Sequence, residues 1–192
     1  SPTATFDRCV SSGNASTGIH VRGRNYTEEG GSFNPYTAGT LVRQCLFHDN
    51  GGNGTYLGAS SPNMVVENSV VHGNTGHGFT GKSWGGQSIT FRNTIIMANN
   101  IGIEKTGTAV SITEQNCDVY GNTVNYSGLT ASPTSISADP LFRGASTGDF
   151  RLVSDSPCVN IGLNQDWMRT AKDLAGNPRL AAKIVDIGAY EV

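Results

Sequence analysis

The stretch that decides the fold is VVENSVVHGNTGHGF, residues 65–79. One repeat later the chain reads ITFRNTIIMANNIGI, residues 89–103, with apolar residues, Asn and Gly at matching places. The asparagine that closes each phrase recurs at spacings of 36, 24, 25 and 23 residues, as Asn14, Asn50, Asn74, Asn99 and Asn122. A repeat of about two dozen residues indicates a solenoid of stacked coils.

The runs within each repeat are short and alternate between apolar and polar residues, which predicts strands. Stacking in register, about 4.8 Å apart, would place like residues in columns. Three such columns are Phe6/Val42/Val66/Phe91, Val10/Leu46/Val70/Ile95 and Gly18/Gly54/Gly78/Gly102. We expect the closing asparagines to occupy a left-handed bend and to bond amide to amide between coils. A second, weaker ladder is Asn68/Asn93/Asn116.

These columns resemble the right-handed parallel β-helix repeat of pectin-lyase-like enzymes and of many secreted bacterial proteins, over roughly residues 4–128. The end of the chain carries ADPLF, DLAGNPRL and VDIGAYE, which are similar to the C-terminal cap of such proteins. The resemblance implies an all-β, right-handed parallel β-helix of about five to six coils with a C-terminal cap. It also implies a bacterial protein that is secreted or held at the cell surface.

We predict one domain of 192 residues. Residues 1–137 would form the coils, with a loop insertion at 22–40, and residues 138–192 the last coil and the C-terminal cap. Because a solenoid needs covered ends, and only Ser1 to Thr3 precede the first coil, we expect a linker or further coils upstream.

The charge is nearly balanced, with 13 basic against 15 acidic residues, and no basic cluster could follow a phosphate backbone. We therefore expect no nucleic-acid partner, and no apolar stretch reaches the length of a membrane span. The four cysteines lack metal-ligand spacing. Cys9, Cys45 and Cys117 share a column with Ser69 and Thr94, which favours small buried residues, with a Cys9–Cys45 disulfide as the alternative.

By the resemblance, the substrate groove lies on the strand after the Gly column. Alternation points His20, Tyr56, Thr80 and Glu104 outward and Ile19, Thr55, Phe79 and Ile103 inward. The flanking loops add aromatic residues on which sugar rings could stack, although the first loop could instead fold over the first coil. The predicted ligand-binding residues are Tyr56, His20, Trp84, Tyr36, Tyr26, Glu104 and His77.

Other columns have simpler interpretations. The alternating charges of Asp7/Arg43/Glu67/Arg92/Gln115 predict a structural ladder of ion pairs. His48 and His72 stack in neighbouring coils, where a metal pair is the less favoured interpretation. Trp167, in the C-terminal cap phrase, is expected to pack.

Gly76-His77-Gly78 looks like the Gly-His-Gly element of polygalacturonases, but the aspartates that those enzymes need are missing from the equivalent turns. Lyase chemistry would need carboxylates around calcium and a basic residue. We therefore predict no catalytic residue; if the chain is an enzyme, Glu104, His77 and Lys82, with Lys105 beside them, are the candidates. No cofactor is expected, and calcium near Asp49 or Asp139 is left open.

Three functions remain. The first is a non-catalytic carbohydrate-binding module for a plant cell-wall polysaccharide such as xylan, linked covalently to a catalytic domain. The nearest analogues are β-helix modules appended to xylanases. The second is the C-terminal part of a polysaccharide lyase, epimerase or glycoside hydrolase. The third is a structural or adhesive stalk.

Overall fold

The computed structural model describes residues 4–21, 39–57, 63–82, 87–107 and 110–192. Three strands follow one another in each coil, and the chain then repeats them one level higher. The strands are β1 (Ala4–Asp7), β2 (Val10–Ser12), β3 (Ile19–Val21), β4 (Thr40–Arg43), β5 (Leu46–His48), β6 (Thr55–Leu57), β7 (Met64–Glu67), β8 (Val70–His72), β9 (His77–Lys82), β10 (Gln87–Arg92), β11 (Ile95–Met97), β12 (Ile101–Thr106), β13 (Val110–Gln115), β14 (Asp118–Tyr120) and β15 (Val124–Ser127).

These strands form three parallel sheets of five strands each. Sheet A has the order β1-β4-β7-β10-β13, sheet B contains β2, β5, β8, β11 and β14, and sheet C contains β3, β6, β9, β12 and β15. The pairing joins like residues, for example Phe6 with Val42 and Val66 with Phe91. The prediction of an all-β parallel β-helix is confirmed.

Side chains from all three sheets fill the interior of the coils, where Phe79 and Phe91 meet edge to face at 5.1 Å between ring centres. The Gly column is required by this packing. A Cβ atom on Gly54 would lie 2.3 Å from Val71 Cγ1, and one on Gly78 would lie 2.6 Å from Ile96 Cγ2. Both distances are far below van der Waals contact, so the coil closes only with glycine at this corner.

The asparagine ladder forms as predicted between sheets B and C. Each side-chain amide donates to the Oδ1 of the asparagine in the next coil at 2.8–3.0 Å, along Asn14, Asn50, Asn74, Asn99 and Asn122. The backbone expectation was wrong by one position. The left-handed residue precedes each asparagine, and is Gly13, Asp49, Gly73, Ala98 or Gly121. Asparagine is therefore needed at these positions for the hydrogen bonds of its side-chain amide, and a left-handed backbone is not the reason for it.

The other corner, between sheets A and B, has left-handed residues in every coil: Arg8, Gln44, Asn68, Asn93 and Asn116. Just before it, the predicted charge ladder forms on the outer side of sheet A. Arg43 pairs with Asp7 at 2.8 Å, Arg92 lies 3.5 Å from Glu67, and Arg92 Nε donates to Gln115 Oε1 at 2.9 Å.

Beyond β15 the chain covers the end of the coils and then turns back along their side. Ile136 bridges to Asp118, and β16 (Phe142–Gly144) and β17 (Asp149–Leu152) form an antiparallel pair. One short 3-10 helix, Ala145–Thr147, lies between these two strands, and a second, Asp166–Arg169, follows them. Apolar residues of this segment pack on the outer face of sheet B, joining Phe150, Leu152, Ile187 and Ala189 to Leu46, Val70 and Ile95. Most of residues 138–192 therefore braces the side of the solenoid.

The DLAGNPRL and VDIGAYE phrases hold this segment together through buried polar contacts. Asp173 accepts hydrogen bonds from the backbone N–H groups of Asn177 and Glu191, at 2.7 and 3.0 Å. Arg179 is 0% exposed, lies 3.1 Å from Glu191, and donates to the carbonyl of Gly188 at 2.8 Å. The signature thus encodes an internal polar network.

All four cysteines are free thiols, so the alternative of a Cys9–Cys45 disulfide is not what the structure contains. The two residues are nonetheless neighbours, since the Cys9 N–H lies 3.4 Å from Cys45 Sγ. Burial raises the pKa of Cys45 to about 12, which leaves an unreactive thiol. Across the described ranges, no helix has the length and apolar character needed to cross a membrane.

Candidate functional site

The outer face of sheet C carries the row that alternation predicts. His20 pairs with Tyr56, Tyr56 with Thr80, and Thr80 with Glu104, while the inward Phe79 and Ile103 are buried. Ser127 continues the row on the last coil. We call the row His20/Tyr56/Thr80/Glu104/Ser127 the sheet C row.

The two aromatic rings of the sheet C row are held against each other. His20 and Tyr56 meet edge to face, with ring centres 4.5 Å apart and planes at 88°. His20 is exposed and Tyr56 is half-buried. A ring held by its neighbour loses little conformational freedom when a ligand stacks on it, which favours binding.

Glu104 is the centre of a polar cluster with His77 and Thr80. Thr80 Oγ1 donates to Glu104 Oε2 at 2.6 Å, and His77 Nδ1 lies 3.0 Å from the same oxygen. The His77 contact has the distance of an ion pair without the alignment of a hydrogen bond, and this nitrogen has no hydrogen-bond partner in the described part of the chain. The His77 N–H of the backbone donates to Asn53 Oδ1 at 2.9 Å, which fixes the start of β9.

The columns of the sequence do not predict that His77 reaches Glu104. In the register of the sheet, His77 pairs with Ile101, and Glu104 pairs with Thr80. The two side chains meet because His77 lies at the corner where β9 begins, and the side chain of Glu104 bends toward it from the next coil. The signal available in the sequence was only that both residues border the same Gly column.

Several predicted site residues lie outside the described residues. These are Tyr26 and Tyr36 of the loop insertion at 22–40, and Trp84. Lys82 ends β9, where its backbone pairs with Thr106, and Lys105 pairs with Gly81. Within the sheet C row, Glu104 is the one carboxylate. A glycoside hydrolase needs two carboxyl groups flanking the bond that it cleaves.

Residues considered for metal binding have structural partners. His48 and His72 each pack against Phe150, with ring centres 4.9 Å apart in both pairs. Asp49 Oδ2 lies 2.8 Å from His48 Nδ1, and Asp139 Oδ1 accepts the backbone N–H of Leu141. The described residues include no group of three or more His, Cys, Asp or Glu side chains arranged to hold a metal ion.

Comparison with known proteins identifies the family of the chain through its repeat region. A family model described as the right-handed β-helix region matches residues 1–137, which is more than half of the chain. No curated protein matches the chain significantly, and no solved structure does. The matched residues contain all fifteen strands of the three parallel sheets. The chain belongs to the family of right-handed β-helix proteins.

Proposed function

We propose that the chain is a non-catalytic carbohydrate-binding module that holds a plant cell-wall polysaccharide, with a xylan-type glycan favoured, along the sheet C row. The β-helix fold is consistent with a polysaccharide-related protein. The observation that carries the proposal is the continuity of the row, in which an aromatic pair leads into a hydroxyl and a carboxylate on successive coils.

The direction of the row suits an extended chain of sugars. Adjacent coils are about 4.8 Å apart, so five coils give a surface roughly 20 Å long. Tyr56 offers an apolar ring face, and the half-buried Glu104 and His77 offer groups that bond to hydroxyls, while the buried Thr80 holds Glu104 in place. The formal net charge of −2 favours a neutral or weakly acidic glycan over a polyanion.

The test is isothermal titration calorimetry with xylo-oligosaccharides, supported by affinity electrophoresis in gels that contain xylan, mannan, β-glucan, pectin or alginate. We expect Tyr56→Ala to weaken binding about 5- to 30-fold, because a stacked aromatic contributes about 1–2 kcal/mol. Tyr120→Ala is the matched control, since it removes a half-buried tyrosine from the outer side of sheet B. Equal affinity of the Tyr56→Ala variant and the wild type would remove the sheet C row as the binding surface.

A second candidate function, polysaccharide cleavage, is favoured by the contact of Glu104 with His77. A carboxylate and an imidazole 3.0 Å apart can pass a proton to or from a bound sugar. If the chain is such an enzyme, Glu104→Gln abolishes the release of reducing ends or unsaturated products while the affinity for the glycan is retained. Absence of product from every polymer tested, together with glycan binding, would leave the binding module.

The proposal includes a partner and a location. We expect a covalently linked catalytic domain, which the module keeps near its substrate, and action outside the cell or at its surface. A structural or adhesive stalk is the remaining alternative. It predicts no affinity for any of the five glycans.

A further inference from the structure

The corner between sheets A and B is filled on three coils and open on two. Asn93 donates to the carbonyl of Leu163 at 2.9 Å and accepts the Leu163 N–H at 2.7 Å. Asn116 donates to Ile161 at 2.9 Å, and Asn68 reaches the carbonyl of Asp186 at 3.5 Å. On these three coils the C-terminal segment is therefore docked on the corner asparagines.

The first two coils carry Arg8 and Gln44 at the same corner, with φ of 53° and 55°. Long side chains adopt this left-handed conformation less readily than Asn does. Asn at these positions would suit the backbone better and would match the other three coils. The backbone therefore does not explain the choice of Arg and Gln, and their side chains must.

The side chains of Arg8 and Gln44 line a cleft of about 480 Å³ between the corner and the C-terminal segment. This volume lies within the roughly 300–1,000 Å³ of small-molecule sites. The lining residues are Asp7, Arg8, Arg43, Gln44, Trp167, Thr170, Ala171 and Lys172. Trp167, which the sequence assigned to packing, carries the Arg43 guanidinium 4.7 Å from its ring centre.

The charges of the cleft favour an anion. Its one carboxylate, Asp7, is already paired, because it accepts Arg43 Nε and Nη2 at 2.9 and 2.8 Å and Gln44 Nε2 at 2.9 Å. Arg8 and Lys172 are exposed at its edge, and neither forms an ion pair within the described ranges. Two cations thus remain for a ligand.

Two polar atoms of the cleft residues lack partners in the described part of the chain. Gln44 Oε1 is a hydrogen-bond acceptor on a side chain that is 1% exposed, and Trp167 Nε1 is a shielded donor. Leaving such groups unpaired is costly. A polar group of a ligand held between the corner and Trp167 would supply the partners that both atoms lack.

We propose that this cleft binds a sugar acid. A ligand hydroxyl donates to Gln44 Oε1, a ligand oxygen accepts Trp167 Nε1–H, and the carboxylate lies between Arg8 and Lys172. The sugar ring packs on the face of Trp167 opposite the Arg43 guanidinium. The cleft is on a different side of the solenoid from the sheet C row, so it is independent of the function proposed above.

The experiment uses tryptophan fluorescence in a Trp84→Phe background, where Trp167 is the sole tryptophan. Glucuronate is the probe, and glucose, acetate and inorganic phosphate are compared with it. We expect a saturable change of Trp167 emission with glucuronate and at least tenfold weaker responses to the other three. Arg8→Asn and Lys172→Gln should each weaken the glucuronate response at least fivefold without lowering Tm, whereas Lys183→Gln, an equal charge change elsewhere, leaves it unaltered.

The outcomes separate the alternatives. No emission change with glucuronate overturns the proposal, as does an equal response to acetate or phosphate, which would make the cleft a simple anion site. An unaltered glucuronate response in the Arg8→Asn/Lys172→Gln double variant also overturns it. Tyr56→Ala should not affect the glucuronate response. A failure of the sheet C row to bind glycans can therefore be distinguished from a failure of the cleft to bind glucuronate.

Discussion

The outer faces of sheets B and C are built from the same coils but differ in burial. On sheet B the outward Leu46, Val70 and Ile95 are apolar and are buried beneath the C-terminal segment. On sheet C the outward row is polar and aromatic; His20 is exposed, Tyr56, Glu104 and Ser127 are half-buried, and Thr80 is buried. The interior of each coil fixes the fold, whereas the outward residue decides whether a face becomes core or stays available to a ligand.

The largest expected effect is on the covered face. Phe150 is 1% exposed and its ring meets those of His48, His72 and Phe142 at 4.9–5.3 Å. Phe150→Ala should lower the free energy of unfolding by about 3–5 kcal/mol, because it opens a cavity under β17. Urea denaturation measures the change, and Phe150→Leu should lose less. A loss below about 1 kcal/mol would mean that the C-terminal segment is not part of the core.

The second-largest effect is expected in the asparagine ladder, which lies between sheets B and C. Asn74 is buried, accepts the amide of Asn50 at 2.8 Å and donates to Asn99 at 2.9 Å. Asn74→Ala leaves the buried backbone N–H of Asn50 without its acceptor, which lies 3.1 Å away, and removes the side-chain bonds to Asn50 and Asn99, so we expect a loss of about 2–4 kcal/mol in the free energy of unfolding. Asn14→Ala, at the exposed end of the same ladder, is the control and should cost below about 1 kcal/mol. Equal losses would show that burial of the ladder is unimportant.

A smaller effect is expected from pH. Burial lowers the pKa of His72 below its ordinary value; Asp49 opposes this shift and the neighbouring His48 adds to it. The unfolded chain then binds a proton more readily than the folded one, so this contribution to stability is present above about pH 6.5 and is lost as the pH falls below it.

His72→Gln isolates that contribution from carboxyl groups such as Asp118, whose pKa burial raises to about 6. We expect the Tm difference between wild type and variant to shrink between pH 7.5 and pH 5. A Tm difference for His72→Gln that does not vary with pH would contradict the burial of its ring.

The smallest effect is predicted on the open face. His20→Ala should change the free energy of unfolding by less than about 0.5 kcal/mol, because His20 is exposed and contacts Tyr56 only by its edge. Thermal denaturation checks this, with His72→Ala as the matched change on the covered face. A loss above about 1.5 kcal/mol would mean that the sheet C row is needed for folding and is not a surface free for binding.

The columns were predictable because they follow from local periodicity. The Gly corner, the outward row of sheet C and the charge ladder repeat every coil, so the sequence places each of them by simple alignment. The left-handed position was misplaced by one residue, since Asn serves equally in left-handed bends and in amide ladders. Only the ladder role applies to Asn74 and its equivalents.

Contacts between distant segments were not predictable in this way. Nothing in the repeat indicates that Leu46 is covered by Phe150, or that Trp167 lies beside Arg43. These partners are more than a hundred residues apart, and their meeting depends on where the C-terminal segment turns back. The approach of His77 to Glu104 has a similar cause, because it depends on a side chain crossing from one column to the next.

The asparagine ladder also gives the solenoid a polarity. In the bonds between asparagines, each amide donates to the asparagine of the following coil, from Asn14 through to Asn122. Asn122 then donates to Asn125, and Asn125 donates to Ser137. Aligned amides polarise one another and sum to a dipole along the solenoid axis. A coil inserted upside down would set donor against donor at this corner. The ladder therefore favours one orientation of each coil relative to its neighbours.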